Sequence, residues 1–129
     1  MDPQAELLLR KAGEDRATLQ FDLAESIFGF HAQQAYEKLL KALIASRNVR
    51  FDRTHDLVKL LAQIEAMGLG PLPLPDHFPL LQSYAVFLRY DDPEPEQEID
   101  GEQVRVAIDV LTGFVTRRMK DRDRQSLVE

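Results

Sequence analysis

The chain of 129 residues contains no cysteine and no tryptophan. Without cysteine there is no disulfide framework, no thiolate zinc site and no cysteine nucleophile, and the composition suits a reducing compartment. No apolar run approaches the ~18 residues that a membrane span needs. The opening MDPQAELLLRKAGE lacks the apolar core of a secretory signal. A soluble, cytoplasmic protein is the expectation. Histidine is scarce as well. His31, His55 and His77 are the three, and no two stand at the i, i+4 spacing of a helical metal site. No metal and no cofactor is expected. A glycine-rich phosphate loop is missing, and neither GxSxG nor HExxH occurs. Most enzyme classes with a short local signature are thereby excluded.

The net charge of −6 comes from one stretch. Seven acids and no base lie between Asp91 and Glu102, which leaves 16 bases against 15 acids elsewhere. Together with Pro93 and Pro95 this run reads as an exposed connection. The acidic pI of about 5.1 argues against a strongly basic nucleic-acid binder but leaves room for a local basic patch.

What is abundant is helical periodicity. Phe28, Ala32, Ala35, Leu39 and Ala42 recur at three and four residues through FGFHAQQAYEKLLKALI. This predicts a helix over about 26–46, with Asp22–Glu25 or Ser26 as its N-terminal signal. Asp2-Pro3 opens an earlier helix at about 3–21. Thr54-His55-Asp56 starts a third at about 55–67, which Gly68 and Gly70 end. Asp76 precedes a fourth at about 77–89, with Leu80, Leu81, Tyr84, Phe87 and Leu88 inward. Asp100-Gly101 precedes the last, at about 102–121, before a charged tail that frays. The reading is an all-α chain: one domain over 1–129, folded as an antiparallel up-and-down bundle of about five helices. Val106 and Val110 add a second apolar strip to the last helix and are a candidate interface.

Two groups of residues could carry chemistry. His31, Gln34, Lys38 and Lys41 form a polar strip on the central helix. It either lines a ligand or partner surface or is satisfied by neighbouring carboxylates, with Glu37 and Lys41 at i, i+4 and Asp15 as a possible buried partner. Arg47, Arg50 and Arg53 recur every three residues before His55. Arginine forks suit phosphate, and a nearby histidine can move a proton. The alternative is a solvated loop.

FHAQQAYEKLLKALI followed by THDLVKLL resembles the HEPN family (higher eukaryotes and prokaryotes nucleotide-binding domain), of the nucleotidyltransferase-associated type. AGEDRATL is similar to its first-helix pattern, and YAVFLRY to the end of its fourth helix. The resemblance covers about residues 5–120. It implies a helical bundle that forms a homodimer and pairs with a minimal nucleotidyltransferase protein, often as toxin and antitoxin. Many members are metal-independent ribonucleases in which an Arg and a His four to six residues apart act together. Arg50 and His55 have that spacing. That motif normally lies later in the bundle, where Arg89 is here followed by YDDPEPEQE with no histidine. Leu57 also stands where one toxin subclass has Tyr. The resemblance therefore implies a non-catalytic module that binds a nucleotide, RNA or a nucleotidyltransferase partner. A ribonuclease using Arg50 and His55, and a plain helical interaction module, are the alternatives.

Overall fold

Asp2 and Pro3 start the first helix as their chemistry requires. In the computed structural model, which describes residues 2–83 and 100–128, helix α1 spans Pro3–Thr18. The Asp2 carboxylate accepts from the Gln4 and Ala5 N–H groups at 2.8 and 3.0 Å, satisfying two donors that the helix itself cannot pair. The helix stops short of the expected residue 21. Leu19 N–H is shared between Asp15 O and Arg16 O, and Gln20 and Phe21 donate to carbonyls three residues back, a tightened last turn that reverses the chain.

Helix α2 spans Glu25–Ala45. Neither Asp22 nor Ser26 caps it, contrary to the sequence signal. Ala24 is the N-cap, and no side chain supplies a capping bond. The Glu25 carboxylate sits in the first turn, where it favours the positive end of the helix. At the other end Asn48 takes φ of 59°, a left-handed turn that asparagine tolerates better than most residues.

Helix α3 spans Leu57–Ala66 and is capped by Asp56, which accepts from Val58 and Lys59 N–H at 3.0 and 3.4 Å. His55 therefore stands just outside the helix rather than in its first turn. Gly68 ends it at φ of 74°, with its N–H on Glu65 O and the Leu69 N–H on Ile64 O.

The expected fourth helix is different. Residues Phe78–Ser83 form a 3-10 helix. Pro79 disfavours an α conformation at Phe78. With three residues per turn, Phe78 and Leu81 align and are buried, while Leu80 is left exposed. Leu80 was expected inward on α-helical spacing and is not. Tyr84, Phe87, Leu88 and most of the acidic stretch lie outside the described residues.

Helix α4 spans Gly101–Val128. Asp100 caps it through Glu102 and Gln103 N–H at 3.0 and 3.3 Å. It continues through the charged tail instead of fraying at residue 121. After Gly113 the sequence has no glycine or proline and is rich in Arg, Lys, Gln and Met, all good helix formers.

The architecture is an all-helical bundle with no strand among the described residues. Helix α2 packs against α1, α3, the 3-10 helix and α4 alike. Tyr36, Leu39, Leu40, Leu43 and Ile44 on it are wholly buried. Helix α1 packs on it, and both helices bury small residues, Ala5 and Ala12 on α1 and Ala32, Ala35 and Ala42 on α2, all fully buried. Val104, Ile108, Leu111, Val115 and Met119 of α4 close the core.

Tyr36 is fully buried in this core, and its hydroxyl is a polar group that needs a partner there. It lies 3.3 Å from His77 Nε2, and its ring meets Phe78 edge-on at 5.2 Å. Burial raises the Tyr36 pKa, so the phenol stays a donor. Burial also lowers the His77 pKa, against a smaller opposing effect of Asp76. Neutral His77 then shares one hydrogen bond with the Tyr36 hydroxyl. In the unfolded chain His77 binds a proton at higher pH than in the folded one. Stability is therefore full above about 6.5 and is lost as pH falls from there towards the lowered value. His77→Gln should flatten this part of the pH dependence, measured as the difference in urea midpoint between the two proteins at pH 7 and pH 5.

Candidate functional site

One edge of α2 collects the polar side chains that the sequence singles out. The helical spacing of His31, Gln34, Lys38 and Lys41 places them on a common strip. Each meets a partner inside the chain. Asp15 reaches over from α1 and is 6 % exposed. Its two oxygens take different partners, with His31 Nδ1 on Oδ1 at 2.9 Å and Lys38 Nζ on Oδ2 at 2.6 Å. Asp15 occupies an inward position of α1 that an apolar residue would otherwise fill. Its burial is tolerable because both oxygens are bonded.

A second carboxylate lies farther along the same strip. Glu37 is 4 % exposed. Lys41 Nζ donates to its Oε2 at 3.0 Å, while His55 Nδ1 and Gln33 Nε2 meet Oε1 at 2.9 and 3.2 Å. Gln33 is completely buried. It gives one amide hydrogen to Glu37 and the other to the His55 carbonyl at 3.1 Å, and its oxygen accepts from Gln34 at 2.7 Å. The strip thus contains two centres of one form, each a buried carboxylate shared by one histidine and one lysine. Gln34 leads from the strip into the second through Gln33. An ionised carboxylate only accepts, so each neutral histidine carries its proton on Nδ1.

The arginines fall elsewhere. Arg50 and Arg53 are exposed and line a cavity of about 390 Å³. Phe51, Asn48 and Gln4 share its wall, with Asp2 at the start of α1 beside them. Asp2 already serves as the α1 cap. Arg47 is directed to α4, where its Nη1 donates to Arg118 O at 3.2 Å. The loop is fastened by Gln63, which donates to Arg50 O at 2.9 Å and accepts from Asp52 N at 3.2 Å. Lys41 sits 5.3 Å from the Phe51 ring centre. This places the aromatic wall of the cavity against the Glu37 centre.

Of the nominated residues, the fold brings His31 and Lys38 together on Asp15, and Lys41 and His55 together on Glu37. Arg50 and Arg53 share the cavity wall, whereas His55 is turned to Glu37. Sequence reasoning nominates neither Gln33 nor Gln82 as a site residue, although Gln33 stands within the FHAQQAYEKLL signature. For Gln33 a signal existed. Gln33 and Glu37 stand at i, i+4 beside Tyr36 and Leu40, so a polar pair borders the apolar arc where a wholly structural helix would be apolar. Gln82 gave no such signal. No group of His, Asp and Glu suited to a metal ion occurs among the described residues.

The family model described as HEPN domain matches residues 5–121. No curated protein and no solved structure matches the chain.

Asp15→Ala should lower stability by about 2–4 kcal/mol, since it strands Lys38 and His31 without their acceptor. The double variant Asp15→Ala, Lys38→Met should recover part of that loss. Chemical denaturation of the single and double variants measures both. Full additivity would show that the pair does not interact.

Proposed function

The chain belongs to the HEPN-domain family, and from that premise we propose that it is a binding module for a nucleotide or RNA, without catalysis of its own. The observation that carries this is the placement of Arg50 and Arg53 on one cavity with an aromatic ring and two amides. Two guanidinium forks suit a phosphate, the Phe51 ring suits the face of a base, and Asn48 and Gln4 can hydrogen-bond its edge. The cavity also has a volume in the range of small-molecule sites. Lys38 and Lys41 support the same division of labour, because their charges are already taken by Asp15 and Glu37. They hold the scaffold, and the arginine loop offers the charge.

A protein partner is the second part of this reading. Val106 and Val110 are 52 % and 50 % exposed on the same α-helix. Such a strip suits a second helical surface, either a further copy of this chain or a nucleotidyltransferase in a toxin–antitoxin-like pair. A ribonuclease reading has one observation in its favour, namely that Glu37 holds the His55 ring by Nδ1. That leaves Nε2 to act on a proton.

Fluorescence anisotropy with a short labelled mixed-sequence RNA tests the binding. Arg50→Ala, Arg53→Ala should weaken it at least tenfold, the order expected for two charge-assisted contacts. Unchanged affinity would remove the cavity from consideration. Val110→Asp should shift sedimentation towards the monomer if the strip joins two copies. RNA breakdown that continues in EDTA and vanishes in His55→Ala would replace the binding reading by the nuclease one.

A further inference from the structure

The arginine cavity carries a charge of the opposite sign in its wall. Arg50 and Arg53 line it, and so does Asp2. Asp2 is not free to swing towards the arginines and cancel them. Its Oδ1 is tied to the α1 N–H groups of Gln4 and Ala5 at 2.8 and 3.0 Å. Its Oδ2 meets no partner, and neither guanidinium has an ion pair or a hydrogen bond, among the described residues. Two cations and one anion thus border one space of about 390 Å³ without joining. The anion belongs to a helix start, and the cations to a loop that Gln63 fastens through Arg50 O.

Capping alone does not require this charge, because asparagine and serine cap a helix about as well as aspartate. The other lining residues, Gln4, Ala45, Asn48, Val49 and Phe51, are neutral. The two arginines and the aspartate therefore give the wall a formal charge of +1, where a neutral cap would leave +2. Attraction to the wall rises in proportion to a ligand's charge, whereas the hydration given up on entry rises with its square. A phosphodiester carries one negative charge, and a terminal phosphate carries nearly two at neutral pH and above.

We propose that Asp2 is a specificity-determining residue. It fits the cavity to a phosphate with one charge, as in a diester linkage, and discriminates against terminal phosphates and free nucleotides. With Asp2 in the wall, the second charge of a terminal phosphate loses more hydration than it gains in attraction. The inference rests on the phosphate-binding reading of the cavity and adds to it which phosphate is taken. If Asp2 were a cap and nothing more, its charge would have no effect on the choice of ligand.

The test uses two ligands that differ by one methyl group and one charge, adenosine 5′-phosphate and its methyl ester. Each competes with the labelled RNA on the full chain, by anisotropy, at low ionic strength and about pH 8, above the second phosphate pKa of about 6. The wild type should bind the methyl ester at least as tightly as the free phosphate. Asp2→Asn keeps the cap and should keep the melting temperature. Across a cavity of this size a wall charge lies ~7 Å from a bound phosphate, and removing it is worth about threefold for one ligand charge and about tenfold for two. The ratio of affinities should therefore move about threefold towards the free phosphate. Asp2→Ser, a neutral cap of another shape, should move it equally. A wild type that prefers the free phosphate severalfold overturns the proposal, as does a ratio unchanged in both variants. In either case weakening by Arg50→Ala, Arg53→Ala would leave the cavity reading standing. Competition by neither ligand, or binding indifferent to the arginines, overturns the cavity reading and the selectivity with it.

Discussion

Two buried carboxylates govern how this bundle is put together. Asp15 and Glu37 are nearly inaccessible to water, and an unpaired carboxylate in such a place would cost several kcal/mol. Each is made tolerable by a histidine and a lysine arriving from defined directions. Asp15 requires that α1 lie along the His31–Lys38 edge of α2. Glu37 requires that the chain return after the arginine loop and present His55 at the Gln33 turn. The apolar face of α2 would accept neighbours at several angles. The carboxylates fix which neighbour lies on which side, a role for buried polar groups that contacts of uniform chemistry do not fill.

The division between these centres and the loop explains why the cations of the chain do not act alike. Lys38 and Lys41 are neutralised at short range and contribute little field beyond the fold. Arg50 and Arg53 stand beyond the end of α2, where the left-handed turn at Asn48 sends the backbone outward. Gln63 fastens the loop through Arg50 O and Asp52 N, so the backbone is ordered while the guanidinium groups are left at the cavity. Helical residues supply precision and loop residues supply contact.

The helices were legible because their signals are local. The three-and-four spacing of Phe28, Ala32, Ala35 and Leu39 marks a buried face wherever the neighbours lie, and Asp2, Asp56 and Gly68 act within one turn of themselves. The errors arose where two local rules competed. Asp76 and the leucines promised an α-helix, but Pro79 and a three-residue period prevailed, and Leu80 turned outward. Asp22 and Ser26 offered caps that packing did not use. The strip of His31, Gln34, Lys38 and Lys41 was visible as a strip. Its partners were visible only in part. Glu37–Lys41 is a one-turn pair, and Asp15 stands out as an acid available to the strip from the first helix, whereas the bond from His55 to Glu37 spans 18 residues and has no local sign. Gln82 reaches 27 residues back to the His55 carbonyl, and no periodicity encodes such a meeting.

The alanines buried on α1 and α2 have a bearing on which parts of the bundle are most local. Ordering an alanine forfeits no rotamer freedom, so a helix pair that buries Ala5, Ala12, Ala32, Ala35 and Ala42 gives up little side-chain entropy at those positions when it forms. The six residues between the two helices make that pair the cheapest long contact in the chain to close. The hairpin is thus the most local tertiary unit among the described helices, and forming it sets Lys38 and His31 beside Asp15. The Glu37 centre is less local, because it needs His55 from beyond the arginine loop.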